Sequence, residues 1–452
     1  MRRESWRNRA GFALAAIGSA VGLASIVRFP YLVADHGGAA FIFVYLLSLF
    51  IIGIPILISE VTLGRATQKN CYAAIANTGK EPFWKGAGAW VLLTALLVSA
   101  FYSALSGWIC GYLVEALFNR LQSLHTSELA TVHFKELLGS PLWGLSYHFV
   151  FLTLSVGLVY AGLRQGIERG CKILMPILFV TLLILVIKGL SLDNSSSALE
   201  YLFKPDWSLI TPSAILMALG QSFFTLSLGQ GTMITYGSYL PKNSPYMGSC
   251  VAVALSVVLV SILSAIAVFT IVFSAGIQPE GGLGLMFQTL PVVFSNMVGG
   301  HILAMSFFLL VALAALTSEI SALEPVIAYL VDERGWPRKK AALATGAMAF
   351  MIGVPCALST SLLSDWTLGG KNILELFDLV ATTILVPIGG LLGVLLVAWR
   401  WGFNFAFKDI ASENGSFTKR QAIYYYLKIC LKYLAPALIL IIFISNLSLF
   451  QQ

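Results

Sequence analysis

Residues 22–31 read GLASIVRFPY. They lie in an apolar run from 10 to 34, interrupted by Gly22, Arg28 and Pro30. Proline removes a backbone donor, and an arginine in hydrocarbon is costly. Irregular backbone persists at membrane depth only where it is buried in protein or lines a water-filled cavity. The stretch therefore reads as the break in a membrane span, with its charge turned toward a vestibule.

The rest of the chain supports a membrane setting. Its 452 residues are 58% hydrophobic and 11% charged, and the mean hydropathy is +0.84. So few charges cannot cover a soluble core of that size. Apolar segments fall at 10–34, 39–63, 88–118, 146–163, 171–190, 212–236, 247–275, 300–330, 341–360, 374–399 and 421–448. Each is near the roughly 20 residues that cross a bilayer core. The reading is an all-α polytopic membrane protein with about 11 transmembrane helices. The basic start MRRESWRNR precedes a run too long for a signal peptide, so the first run is read as a retained helix.

Lysine and arginine are unevenly shared between alternate loops. One set holds Arg65, Lys69, Arg164, Arg169, Lys172, Arg338, Lys339 and Lys340, and the other little beyond Arg120, Lys135, Lys204 and Lys371. The positive-inside rule then puts the N-terminus in the cytoplasm, in a bacterial cytoplasmic (inner) membrane. The net charge of +7 suits an anionic lipid leaflet better than nucleic acid, and membrane lipid is the expected surroundings. The six cysteines and five histidines show no metal-ligand spacing. No catalytic constellation appears in the spans, so an enzyme is not expected.

Segment 6 is interrupted as well, by SLGQG with Gly229 and Gly231. Breaks at corresponding places in two halves mark the binding site of a secondary transporter. Segments 1 and 6 are five apart, which predicts a 5+5 inverted repeat with broken helices 1 and 6. The division is 1–190 (helices 1–5), 191–400 (helices 6–10) and 401–452 (an appended helix 11).

Several longer motifs follow in order: AVGL with RFPY, GIPILISEVTLGR, GIERGCKILMPILF, GQSFFTLSLGQG with ITYGSY, and ALTSEISALEP. Together they resemble the neurotransmitter:sodium symporter family, bacterial branch, along almost the whole chain. Broken helices and inverted repeats are themselves hallmarks of that family, so the architecture is in part an implication of the resemblance. The resemblance implies sodium-coupled uptake of an amino acid by alternating access.

It also implies a site. A free amino acid at the membrane midplane needs donors for its carboxylate and acceptors for its ammonium, and an unwound helix supplies both. The matching substrate positions are Ala20, Leu23, Ala24, Val98, Tyr102, Phe224, Thr225, Ser227, Gln230, Glu319 and Ala322. Tyr102 matches the tyrosine that bonds the substrate carboxylate. The second family sodium site maps onto Gly18, Val21, Ala314, Thr317 and Ser318, which offer carbonyls and hydroxyls suited to a hard cation. The first site maps onto Ser25, Thr225 and Ser256. Two of these replace asparagines, so one sodium per cycle is expected. The chloride-or-acid position falls at Val260 or Ser261, and chloride dependence stays open.

Glu319 departs from the family pattern. It could face a cationic substrate side chain, compensate for the weakened first site by binding a proton, or bond neutrally to neighbouring helices. Gln230 stands where the bacterial leucine transporter has a phenylalanine and adds a polar wall. Arg28 and Asp378 match the outer gate. Arg3, Trp6, Asp332 and Tyr239 match the cytoplasmic latch. Glu60 and Gln221 are expected to support the broken backbone, and Gly166 and Pro176 to let segment 5 unwind. A substrate sensor, or a partly proton-coupled transporter using Glu319, is the alternative function. The sequence leaves the substrate and the oligomeric state open.

Overall fold

The computed structural model describes residues 4–276, 282–406 and 417–449. The described residues form helices joined by short connections, and no strand occurs among them. The principal helices are α1 (Arg9–Ala20), α2 (Ala24–Asp35), α3 (Ala39–Thr67), α4 (Pro82–Leu117), α5 (Pro141–Tyr160), α6 (Leu163–Leu190), α7 (Pro212–Thr225), α8 (Thr232–Ser238), α9 (Met247–Ser274), α10 (Gly300–Arg334), α11 (Arg338–Ala357), α12 (Ile373–Arg400) and α13 (Gln421–Ile444). Among the described residues, nine helices are individually long and apolar enough to cross a membrane. The pair α1 and α2, bent by 51°, makes a tenth span. The pair α7 and α8, interrupted at 226–231, supplies the sixth apolar segment of the sequence.

Lipid-facing surface is written into the helices. On α6, Ile173, Ile177, Val180, Ile184 and Ile187 are all exposed. They recur every three or four residues, so they share one face. An apolar stripe of that length turned outward needs hydrocarbon around it.

The two halves correspond in more than their breaks. The longest helices, α4 with 36 residues and α10 with 35, belong to the third and eighth spans. They are again five spans apart, and they pack against each other. An odd offset reverses the direction of crossing, which is how such a repeat becomes inverted.

Close packing fixes the second break. Ser227 (φ +53°), Gly229 (φ +76°) and Gly231 (φ +77°) all take left-handed backbone within the 226–231 link. A Cβ at Gly229 would overlap the Val386 carbonyl oxygen of α12, so no other residue fits there. Behind the link, α3 and α8 touch backbone to backbone. A Cβ on Gly64 would overlap the Ile234 carbonyl oxygen and sit 2.8 Å from the Ser238 nitrogen.

Gly64→Ala therefore forces two backbones apart, at about 1–3 kcal/mol. Its thermal unfolding midpoint in detergent is expected to fall, whereas Gly248→Ala, with nothing within 4 Å of the new methyl, does not lower it. Equal midpoints for the two variants would remove this contact from the fold's requirements.

Candidate functional site

The break in the first span is built from its own hydrogen bonds. Helix α1 is capped by Asn8, whose side chain accepts from the Gly11 N–H, and ends where Val21 turns to ψ 82°. Ser25 N–H and Ile26 N–H both donate back to the Gly22 carbonyl at 3.1 Å, and Leu23 N–H donates to the Tyr102 hydroxyl at 3.3 Å. The carbonyls of Gly18, Ser19, Ala20 and Val21 thus receive no helical N–H from residues 22–25. Gly22 is where three elements meet. A Cβ there would overlap Ser318 Oγ and lie 3.0 Å from the Tyr102 hydroxyl.

Beside this break lies a cavity of about 30 Å³. Ala20, Leu23, Ala24, Val98, Tyr102, Phe224, Ser227, Gln230 and Ala322 line it, together with Ser19, Gly22 and Ser318. Thr225 and Glu319, named with them from the sequence, are outside the lining. Thr225 Oγ1 instead donates to the Gln221 carbonyl at 2.5 Å. Glu319 is fully buried and accepts a hydrogen bond from Ser99 Oγ of α4. Its other oxygen has no hydrogen-bond partner among the described residues.

The floor of the cavity is a hydroxyl cluster that the sequence did not reveal. Ser19 and Ser321 hydroxyls are 2.7 Å apart, and Ser19 Oγ donates to Ser227 Oγ at 3.2 Å. Ser227 and Ser318 hydroxyls each donate to the Ser19 carbonyl at 3.0 Å. Ser19 and Ser321 adjoin positions expected at the site, but lone serines carry no periodic signal.

A second oxygen cluster lies under Gly22. Ser318 Oγ is 3.5 Å from the Gly18 carbonyl oxygen, and Thr317 Oγ1 is 3.0 Å from the Ala314 carbonyl oxygen. A Cβ on Gly18 would lie 3.3 Å from Thr317 Cβ, so the end of α1 and this turn of α10 are in contact. Carbonyls free of a helical ladder beside two hydroxyls suit a hard monovalent or divalent cation.

The positions of the other expected sodium shell are less well equipped. Ser25 Oγ donates to the Ala20 carbonyl at 3.1 Å. On α9, Ser261 is fully buried, and Ser256 is only half-buried. Five residues turn a helix by about 140°, so Ser256 leaves the face of Ser261, while Val257, four residues away, shares it. The Tyr45 hydroxyl lies close to Thr225 and Ser261, but neither it nor Ser261 Oγ forms a hydrogen bond of good geometry.

The support residues are where the sequence put them. Glu60 Oε1 accepts from the Gly229 N–H at 2.7 Å, and Gln221 Nε2 donates to the Ala24 carbonyl at 2.7 Å. Each glues one broken span to another element.

Residues 3–131 and 129–452 match the sequence profile of the "Sodium:neurotransmitter symporter family". The chain is 34% identical to the "uncharacterized sodium-dependent transporter YhdH" of Bacillus subtilis over 98% of each protein. It belongs to the sodium:neurotransmitter symporter family. Further relatives include the "sodium-dependent serotonin transporter" of Drosophila melanogaster, 26% identical over all of this chain and 77% of that protein. Among solved structures, MhsT in complex with L-phenylalanine superposes with a TM-score of 0.89 at 37% identity, covering 98% of this chain and 100% of MhsT. The protein is thus a multi-pass, sodium-dependent membrane transporter, from a family of transporters and not of enzymes.

On the side of its N-terminus the symporter is pinned by Trp6 and by a buried ion pair, beside a cavity of about 700 Å³ that Glu4, Tyr239 and Arg338 line. Trp6 is buried, donates from Nε1 to the Tyr236 carbonyl at 2.9 Å, and from its backbone N–H to the Tyr239 carbonyl at 3.1 Å. The Tyr239 hydroxyl donates to Glu324 Oε1 at 2.6 Å. Arg338 grips the fully buried Glu324 in bidentate fashion, at 2.9 and 2.7 Å, and reaches Glu4 at 3.1 Å. Glu324 belongs to the ALTSEISALEP motif, yet nothing in the sequence assigned it this role. Asp332 accepts from Asn70 Nδ2 at 3.3 Å, and Arg3 lies outside the described residues.

The opposite side holds a smaller cavity. A cavity of about 120 Å³ continues from the first one past Leu23, Tyr102 and Phe224. Arg28 and Asp378 both line it, but no ion pair joins them among the described residues. The Arg28 guanidinium instead stands 5.1 Å from the centre of the Phe224 ring.

Gly22→Ala places a methyl between Ser318 and Tyr102. Substrate binding by the purified symporter is expected to fall at least about tenfold, since the contact is with two site residues at once. Tyr102→Phe removes one hydroxyl and is expected to cost about 1 kcal/mol, or roughly fivefold in affinity. Equilibrium binding of a labelled substrate measures both. A Gly22→Ala protein of undiminished affinity overturns the placement of the site at the break.

Proposed function

We propose that this symporter takes up an amino acid into a bacterial cell across the inner membrane, driven by one sodium ion per cycle, with its N-terminus in the cytoplasm. The observation that carries the reading is the convergence at Gly22. The Tyr102 hydroxyl accepts from the Leu23 N–H and has its own O–H to offer the cavity, a setting suited to a carboxylate, and the Ser318 side chain touches the same glycine from the side of the cation cluster. Uptake is favourable when the sodium gradient offsets the cost of ordering both.

Sodium would be held by the carbonyls of Gly18, Val21 and Ala314 and the hydroxyls of Thr317 and Ser318. The shell at Ser25 and Thr225 supports no second ion. Position 25 carries a serine in place of an amide, and α9 turns Val257 rather than an amide toward the face of Ser261. Arg28, Phe224 and Asp378 form the outer gate, and Trp6 with the Arg338–Glu324 pair forms the inner one. The hydroxyls of Tyr45 and Ser261, without partners in good geometry, offer two donors suited to an anion, so chloride is proposed as a further requirement.

Uptake into liposomes tests these assignments. A panel of labelled amino acids is offered with and without a sodium gradient. Concentrative uptake with a Hill coefficient for sodium of about one is expected, because the coefficient cannot exceed the number of coupled sites. A coefficient near two overturns the single-ion reading. Saturable binding without flux makes the protein a sensor. The double variant Thr317→Val, Ser318→Ala is expected to abolish sodium stimulation. Replacing chloride by gluconate is expected to slow uptake, and Ser261→Glu, which supplies a fixed negative charge, to relieve that requirement. Unchanged rates in gluconate remove chloride from the cycle.

A further inference from the structure

We infer that Gln230 selects the substrate, and that the substrate is a neutral amino acid whose side chain carries an amide or a hydroxyl. This rests on the amino-acid reading proposed above and goes on to the class of side chain. The first observation is that no residue lining the cavity bears a formal charge. The nearby acids are outside the lining: Glu319 is bonded to Ser99, and Glu375 and Asp378 line the adjoining outer cavity together with Arg28. A lysine or arginine side chain would therefore enter without a counter-charge, at a severe desolvation cost.

The second observation separates Gln230 from the other polar side chains of the wall. Ser19, Ser227 and Ser318 satisfy one another and the Ser19 carbonyl. The Tyr102 hydroxyl accepts from Leu23 N–H. The Gln230 amide makes no hydrogen bond to any described residue, although the side chain is only 8% exposed and its Oε1 is buried. Gly229 and Gly231 flank it in left-handed backbone, and a Cβ on Gly229 would strike the Val386 carbonyl oxygen. The side chain is thus carried into the cavity wall by a link that packing holds in place. A buried amide oxygen without a partner is unfavourable unless a ligand donor completes it.

A ligand side chain with an O–H or N–H donor completes it. A side chain of the same shape without a donor leaves it buried and unpaired. Sites built to bond a polar group reject the analogue that lacks it far more strongly than apolar pockets reject an altered shape.

The test compares near-isosteric pairs: glutamine with methionine, asparagine with leucine, threonine with valine, and tyrosine with phenylalanine. Binding of each to the purified full-length protein in nanodiscs is measured in saturating sodium, for the natural protein and for Gln230→Met. The polar member of the tightest-binding pair is expected to be favoured by at least about tenfold, and Gln230→Met to reduce that preference to within about twofold. Folding of the variant is verified by a sodium-dependent shift in its melting temperature. Should the variant not fold, the ratio in the natural protein decides alone. Equal binding within the tightest pair, preference for its apolar member, or a ratio unchanged in Gln230→Met overturns the inference while leaving amino-acid transport standing. Selective binding of lysine or arginine overturns the neutral class. Binding of no amino acid at all overturns the amino-acid reading itself, and this inference with it.

Discussion

A backbone carbonyl or N–H in hydrocarbon must find a partner inside the protein, and each that does not costs several kcal/mol. This symporter breaks two helices at membrane depth, and the rest of the structure is organised around the groups those breaks release. Glu60 takes the Gly229 N–H, Gln221 reaches the Ala24 carbonyl, and the Tyr102 hydroxyl takes the Leu23 N–H. The carbonyls of Gly18 and Ser19 meet the hydroxyls of Ser227 and Ser318. Other groups at the breaks border the cavity and the oxygen cluster beneath it. A broken span is therefore not a weak point here. Several of its released groups are bonded from neighbouring helices, and others border one cavity and one oxygen cluster.

The same logic applied to charge explains why the two ends differ. Glu324 is fully buried, and Arg338 and Tyr239 surround it with three hydrogen bonds. Separating a buried pair without a replacement partner costs about 3–5 kcal/mol. Arg28 shares its cavity with Asp378 without an ion pair among the described residues and stands against an aromatic ring. Cation–π contact with Phe224 contributes about 0.5–2 kcal/mol. The N-terminal side thus holds its charges as a buried, bonded pair and the other side does not, and parting Arg338 from Glu324 requires water or another partner to replace each.

Much of this architecture is legible in the residues alone. Segment lengths, the two glycine-bearing breaks and the spacing of the motifs define the spans, because hydrocarbon thickness leaves a helix few alternatives. The wall residues contributed by the breaks, and those of α4 and α10, are legible through the family resemblance. What sequence could not show was direction. Glu319 sits one residue from Ser318, yet a helical step of about 100° turns it toward Ser99 rather than into the cavity. Along α9, Ser256 and Ser261 differ in burial because 28 helical residues without a break offer no landmark for register. The Ser19–Ser321 contact and the Arg338–Glu324 pair join residues distant in the chain or across a helix junction, and only packing brings them together.

Direction also bears on how sodium and substrate are linked. Gly22 has no side chain of its own, and Ser318 and Tyr102 both press on the place where one would be. Ser318 belongs to α10, whose next turn carries Ala322 in the cavity wall, and Tyr102 belongs to α4, whose preceding turn carries Val98. The Glu319–Ser99 hydrogen bond ties these two long helices together within a turn of the site. A ligand that draws Ser318 toward the Gly18 carbonyl must therefore move against the same glycine that Tyr102 contacts. Tight interiors transmit such shifts because they have few voids to absorb them. On the proposed assignment of sodium and substrate, coupling requires no long pathway, since the oxygen cluster and the cavity share Ser318 as a common wall.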